Sequence, residues 1–398
     1  MGNFLNLVYD GGDVKKENII SYMNSYVRIK DYRVFDINNI PNDNEKYYYF
    51  FEYRYHLVSY LLSEKKLPCS DTVLSLLKSN PNFNLILSND AESDEDILIE
   101  ALDVVFKNMG IDTNKIIVIN CNENNYELKK KLNSSIIAHS TNNGKFAYAN
   151  ELTKFPYQFE ENRNFLFMTY NRMPKCHRFA LLVYLMRHNI LDSIDWSWLR
   201  GHELSKIYSG RESDFIQYLN SCPLPKEILE FEKEIKTLLD VQIKKSIYEI
   251  DCQVDYPPYT IDTEASYSNN AYKNSYINIV TETNFNKNDI ILTSEKSFIP
   301  LFFSQIPIIM ASVNHIKKMK DRYGFDFFDD IVNHSYDSEP NPKKRFEMII
   351  NEILRLNNKK EEIVHFFKNN KSRFDRNVQI FEEMKTDKTD YNFYKSLI

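Results

Sequence analysis

Short apolar runs recur along this chain, and most are followed by a stretch in which apolar residues return at helical spacing. That alternation limits the fold more than any other feature. In the first half, apolar runs at 4–9, 47–51, 85–87, 115–120 and 135–138 read as strands. Helical patterns at 55–62, 94–109 and 126–132 fall between them. The apolar residues Ile97, Leu98, Leu102, Val105 and Phe106 fit one helix face, acidic residues open that helix, and Gly110 stops it. Strand, helix, strand in succession implies parallel strands joined by crossovers, the α/β class. The pattern breaks around 155–164 and then restarts. Strands are expected at 164–170, 196–198, 276–280 and 306–310, helices at 178–188 and 225–243, and charged helical sequence over 343–393.

Length agrees with two such sets. At 398 residues the chain exceeds one ordinary core. The expectation is an α/β protein of two Rossmann-like domains facing a cleft, with C-terminal helices. Its parts are an acceptor-side domain at 1–158, a donor domain at 159–345, and a helical segment at 346–398 packing back on the first domain. With 27 Tyr and 27 Phe there is ample side chain to bury. The formal charge of 50 − 56 = −6 offers no global basic field for nucleic acid. Five widely spaced cysteines form no CxxC or Cys/His cluster, so reduced thiols and no zinc site are expected. Asn3, Asn6 and Asp10 interrupt the opening as a leader, and no apolar run nears the roughly 20 residues of a membrane span. The expected location is cytoplasmic, the host cytoplasm for a viral protein.

Two segments carry candidate chemistry. In 164–191 an apolar strand runs into Asn171-Arg172-Met173-Pro174-Lys175-Cys176-His177-Arg178 and then a helix. Arg172, Lys175 and Arg178 therefore gather at a strand-to-helix junction, where ligands bind in open α/β sheets. Helix N-termini favour anions, so cations placed there suit a diphosphate lying between them; a solvated loop is the alternative. In 275–312 a strand ends at Thr281-Glu282-Thr283-Asn284, and Thr293-Ser294-Glu295-Lys296 opens a helix. Glu295 suits ribose hydroxyls and Lys296 a phosphate; the alternative is that Ser294 and Glu295 only cap the helix.

Together these blocks resemble the C-terminal half of GT-B-type glycosyltransferases of phages, large viruses and bacteria, related in pattern to the α1,3-fucosyltransferases. Glu282 and Asn284, with Thr283 between them, stand near that family's Glu-Asn pair. Ser294-Glu295-Lys296 stand for its Thr-Glu-Lys motif, and Pro307 matches the following strand. Asn171, Arg172, Pro174, His177 and Arg178 resemble a block of the viral relatives, as do Gly324-Phe325, Phe328, Asp330 and Ser335-Tyr336-Asp337. The resemblance covers 164–345. It implies a nucleotide-sugar donor, UDP- or GDP-linked, with Arg172 and Arg178 on the diphosphate, Glu295 on the ribose, Lys296 on a phosphate and Glu282 facing the sugar. Lys175, Asn284 and Ser294 complete the expected donor set.

An inverting transfer to a hydroxyl needs a base. Glu92, with Asp90, follows a strand in the first domain and is the chosen candidate; Asp10, Asp13 and His139 are rivals. Divalent metal is not expected, because lysine and arginine can neutralise the leaving diphosphate. The acceptor is left open among glycan, glycoprotein and modified DNA. A DNA-base glycosyltransferase and an inactive GT-B-like module are the alternatives.

Overall fold

Strands that are apolar at every position belong to sheets covered on both faces. The computed structural model of this chain is built on two sheets rich in them. It describes residues 4–12, 14–24, 29–41, 43–52, 57–89, 98–120, 122, 130, 134–140, 149, 152–153, 157–171, 175–199, 222, 224–241, 243–244, 270–288, 291 and 293–397. The chain divides into two compact units. Unit 1 comprises Met1–Phe146, Asp289–Leu292 and Thr386–Ile398; unit 2 comprises Ala147–Asn288 and Thr293–Lys385.

Unit 1 holds β1 (Leu5–Tyr9), β2 (Tyr32–Asp36), β3 (Tyr47–Glu52), β4 (Phe83–Asn89), β5 (Ile116–Asn120) and β6 (Ile137–Ser140). They form one sheet in the order β2-β1-β3-β4-β5-β6, and every pairing is parallel. The central strands are buried along nearly their whole length: Tyr47–Phe51 and all of β5. Helices α1 (Lys16–Tyr22), α2 (Leu57–Glu64), α3 (Asp71–Ser79) and α4 (Leu98–Met109) connect them. Helix α4 buries Leu98, Leu102, Val105 and Phe106 against the sheet core, the face the sequence spacing predicts. The helix expected at 126–132 lies outside the described residues except for Lys130, which is helical.

Unit 2 holds β7 (Phe165–Asn171), β8 (Asp195–Leu199), β9 (Ile243–Lys244), β10 (Ser275–Thr281) and β11 (Ile306–Met310). Their order is β11-β10-β7-β8-β9, parallel except for the antiparallel edge strand β9. Helices α5 (Cys176–Arg187), α6 (Glu232–Asp240), α7 (Glu295–Phe302) and α8 (His315–Tyr323) follow the strands, and α9 (Pro342–Asn357), α10 (Lys360–Asn369) and α11 (Lys371–Met384) complete the unit. Helix α5 is buried almost all round, from Cys176 to Leu185, as a helix in the middle of a core must be. Asn341 caps α9 through two backbone N–H groups, with Pro342 in its first turn, and Gly324 ends α8 in the left-handed region at φ 75°.

The tail divides differently from the 346–398 segment expected. Helices α9 to α11 bury Ile349, Ile353, Phe367, Phe374 and Phe381 in the core of unit 2. Only α12 (Thr389–Lys395) and its flanks belong to unit 1, where Tyr394 is buried and the Tyr48 hydroxyl donates to the Leu397 carbonyl at 3.0 Å. The apolar faces of the earlier helices match the aromatic core they grow from, so they stay with it. Among the described residues no helix is long and apolar enough to cross a membrane.

Candidate functional site

Sheet order decides where a ligand can enter. From β7 the chain crosses to β8 on one side, whereas β10 lies on the other side of β7 and leads outward to β11. The connections diverge between β7 and β10, the kind of place where ligands bind outside the strand carboxyl ends in open α/β sheets. Both sequence segments singled out above leave the sheet at this point: β7 ends at Asn171 and β10 at Thr281. A buried side-chain bond ties the two ends together, with Thr281 Oγ1 donating to Asn171 Oδ1 at 2.7 Å.

Arg178 and His177, in the first turn of α5, reach across to β10. Arg178 is 3% exposed, and its Nη2 donates to the Thr281 carbonyl at 3.0 Å. His177 Nε2 donates to the Glu282 carbonyl at 2.9 Å. Burial, reinforced by the adjacent Arg178 charge, holds the His177 pKa well below its ordinary value, so the ring is neutral at pH 7. Lys175 is the N-cap residue of α5 and is partly exposed. Arg172 lies outside the described residues, as do Asp90 and Glu92.

Glu282 turns inward. It is 2% exposed; Oε2 accepts from the Ser294 hydroxyl at 2.7 Å, and Oε1 accepts from the Ser294 backbone N–H at 3.3 Å and from the Ser297 hydroxyl. Burial pushes its pKa up, but Lys296, His315 and the two serine hydroxyls together outweigh it and hold the carboxyl below its usual value. The carboxylate is thus an anchor for the start of α7, in place of the outward, sugar-facing group that the family resemblance implies. Ser294 also caps the helix, accepting from Lys296 N at 3.3 Å, and Lys296 Nζ donates to the same hydroxyl at 3.3 Å. Glu295 pairs with Lys296 at 3.4 Å, and each side chain keeps about a third of its surface in solvent (32%/32%). Asn284 is buried, and its Nδ2 has no partner among the described residues.

Two further groups carried no sequence signal. Arg345, from α9, is 1% exposed, donates to the carbonyls of Phe285 and Glu339, and lies 4.9 Å from the Phe285 ring centroid. Burial lowers its pKa to about 10, opposed by Asp337 and Glu339, which leaves it a cation at pH 7 beside the exit of β10. His315, the first residue of α8, is wholly buried and meets the Ser297 hydroxyl through Nε2 at 3.0 Å.

The rival bases of unit 1 are engaged in its own structure. Asp10 Oδ1 accepts from Gly12 N and Val14 N, and its Oδ2 from the Tyr49 hydroxyl at 2.8 Å, which pins the loop after β1. His139 pairs with Asp390 at 2.7 Å and stacks on Phe393. Asp13 lies outside the described residues.

The expectation of reduced thiols is corrected at this edge. Cys176, the first residue of α5, is bonded to Cys222, with Cα atoms 6.4 Å apart. A separation of 46 residues carries no motif, so only the folded chain brings the pair together. A cleft of ≈ 460 Å³ opens beside α8, lined by Lys317, Lys320, Asp329, His334 and Asp337 among others. Its charges satisfy one another: Lys320 binds both oxygens of Asp329, Lys317 binds Asp321, and Asp337 accepts from the N–H groups of Ile316 and Lys317. Comparison of the chain with protein-family models, curated proteins and solved structures finds no match.

Proposed function

We propose that unit 2 binds the diphosphate of a nucleotide sugar and that the chain is a glycosyltransferase of GT-B type. One comparison among helices carries the reading. Helices α5, α7 and α8 each begin just beyond a strand of unit 2, and each start is a place of positive potential. At α7 that potential meets Glu282 and Glu295, and at α8 it meets Asp337. At α5 there is no acidic residue in the first turn and no side-chain cap; Lys175 and Arg178 stand there instead. An anion bound there would meet the helix start and the two cations together, three features of the opposite sign. A diphosphate is the natural occupant, and Lys296 and the buried Arg345 add to the field.

In this reading the donor's pyrophosphate lies over the α5 start, at the β7–β10 divergence. Negative charge grows on the departing diphosphate during transfer, so fixed cations beside it stabilise the transition state more than the bound donor. Glu295, partly in solvent, is the acceptor for ribose hydroxyls. The decisive experiment is a thermal-shift screen with UDP, GDP, CDP and dTDP, with and without EDTA. One of them should raise the melting temperature, because a ligand bound only to the folded state stabilises it. No shift with any of the four at millimolar concentration sinks the proposal.

A further inference from the structure

The hydrogen bonds around Glu282 have a direction. An ionised carboxylate only accepts, so the Ser297 and Ser294 hydroxyls must both donate to it. Each hydroxyl oxygen is then left as an acceptor. Lys296 Nζ fills that place on Ser294 at 3.3 Å, and His315 Nε2 fills it on Ser297 at 3.0 Å. The result is one polarised chain from His315 through Ser297 to Glu282, and back through Ser294 to Lys296. It joins the starts of α7 and α8. The His177 bond to the Glu282 carbonyl brings in α5 as well.

His315 is an expensive residue for its position unless that bond matters. It is 0% exposed, and its Nδ1 has no hydrogen-bond partner among the described residues. Its side chain's polar contact is therefore the one to Ser297. An apolar side chain would fill the same space without a buried, unsatisfied nitrogen. The ring fixes the Ser297 hydroxyl with its proton on Glu282. Without that donor, Ser297 is free to rotate and bond elsewhere, and Glu282 loses one of the three contacts that set the Ser294–Lys296 turn.

We infer that His315 is a positioning residue: through Ser297 and Glu282 it holds the turn that presents Lys296 to the phosphates. This rests on the diphosphate reading above. It acts at a distance, since His315 itself is sealed from any ligand.

The test uses the full chain and inorganic pyrophosphate as probe, with affinity measured by calorimetry and folding by circular dichroism. His315→Leu should weaken pyrophosphate binding roughly tenfold, the scale of one charge-assisted contact held out of place. His315→Gln, whose amide can donate to Ser297, should restore affinity to within about threefold of wild type on the same scale. That rescue is what a simple packing role would not give. Ser297→Ala removes the link without a helix-propensity cost, should match His315→Leu, and decides the matter if the leucine variant does not fold. Wild-type binding with unchanged affinity in His315→Leu, or in a folded Ser297→Ala, overturns the inference alone. Absence of pyrophosphate binding by wild type overturns the phosphate reading, and the inference with it.

Discussion

The Glu282 carboxylate and the Ser294 hydroxyl stand 2.7 Å apart across 12 residues of chain, joining the end of β10 to the start of α7. Ser294 also caps that helix, so one hydroxyl serves a buried carboxylate and a helix terminus together. Ser294→Ala should therefore cost more than an ordinary cap, about 1–3 kcal/mol, because it leaves a buried carboxylate short of a donor. Urea unfolding measures it. A loss below about 0.5 kcal/mol, the level of an ordinary surface substitution, would show that the contact is idle.

Arg178 should respond to chemistry as well as charge. Its planar head bonds the Thr281 carbonyl from a fixed position in α5. Arg178→Lys keeps the charge but loses the fork, so affinity for the diphosphate found by thermal shift should fall roughly tenfold. The melting temperature should stay within a few degrees of wild type. Wild-type affinity in Arg178→Ala would remove Arg178 from the site.

Much of this arrangement is legible in the letters, and the reasons are physical. Strands buried on both faces are continuous apolar runs, so β3, β5, β7, β10 and β11 declare themselves. Edge strand β2 does not, because exposed Arg33 interrupts it and its other residues are only half buried. Helix α8 hides for a similar reason: its mean composition is polar, and it buries only His315, Ile316 and Met319. Positions of charged residues relative to strand ends are readable, which sets Arg178 beyond the end of β7 and Lys296 at the start of α7. Direction is not. The family resemblance implies a sugar-facing Glu282, and only its bonds to Ser294 and Ser297 reveal it as an anchor. Arg345 and His315 reach the site from distant helices, and no local pattern announces such an arrival.

Acid should loosen this edge in two stages. The folded-state pKa of His177 is depressed, by burial first and by Arg178 second. Below about pH 6.5 the unfolded chain takes up a proton at His177 that the folded chain refuses, so stability falls with pH until the folded pKa is reached. One such histidine gives a slope of at most about 1.4 kcal/mol per pH unit, and buried His334, also depressed, adds in the same window. Glu282 is likewise depressed, so its contribution is complete above its unfolded value of 4.5 and is lost as pH falls through the lower folded value. His177→Gln keeps a donor for the Glu282 carbonyl and removes the titration. Urea unfolding across pH 5 to 7 should show a shallower slope for that variant. Identical slopes would mean that His177 does not resist protonation.

The C-terminal helix gives the last prediction, which concerns unit 1 alone. Polar contacts that fasten α12 and its flanks there include His139 with Asp390 at 2.7 Å, Lys395 with Asp31 at 2.6 Å, and the Tyr48 hydroxyl with the Leu397 carbonyl at 3.0 Å. Phe393 stacks on His139 with ring centroids 4.0 Å apart, and Tyr394 is 1% exposed within the unit's core. The Lys395 pair is exposed and adds little. The buried aromatic side chain and the shielded His139 pair matter more, since burying one such ring is worth roughly 1.5–3 kcal/mol. Removing residues 386–398 should therefore destabilise unit 1 by at least about 2 kcal/mol on that scale. Helices α9 to α11 belong to the other unit's core and should be unaffected. Hydrogen exchange followed by mass spectrometry separates the two. Truncation should speed exchange in β3, β5 and β6 and leave β10, β11 and α9 as protected as before. Equal loss of protection in both units, or in neither, would refute the assignment of this helix to the first unit.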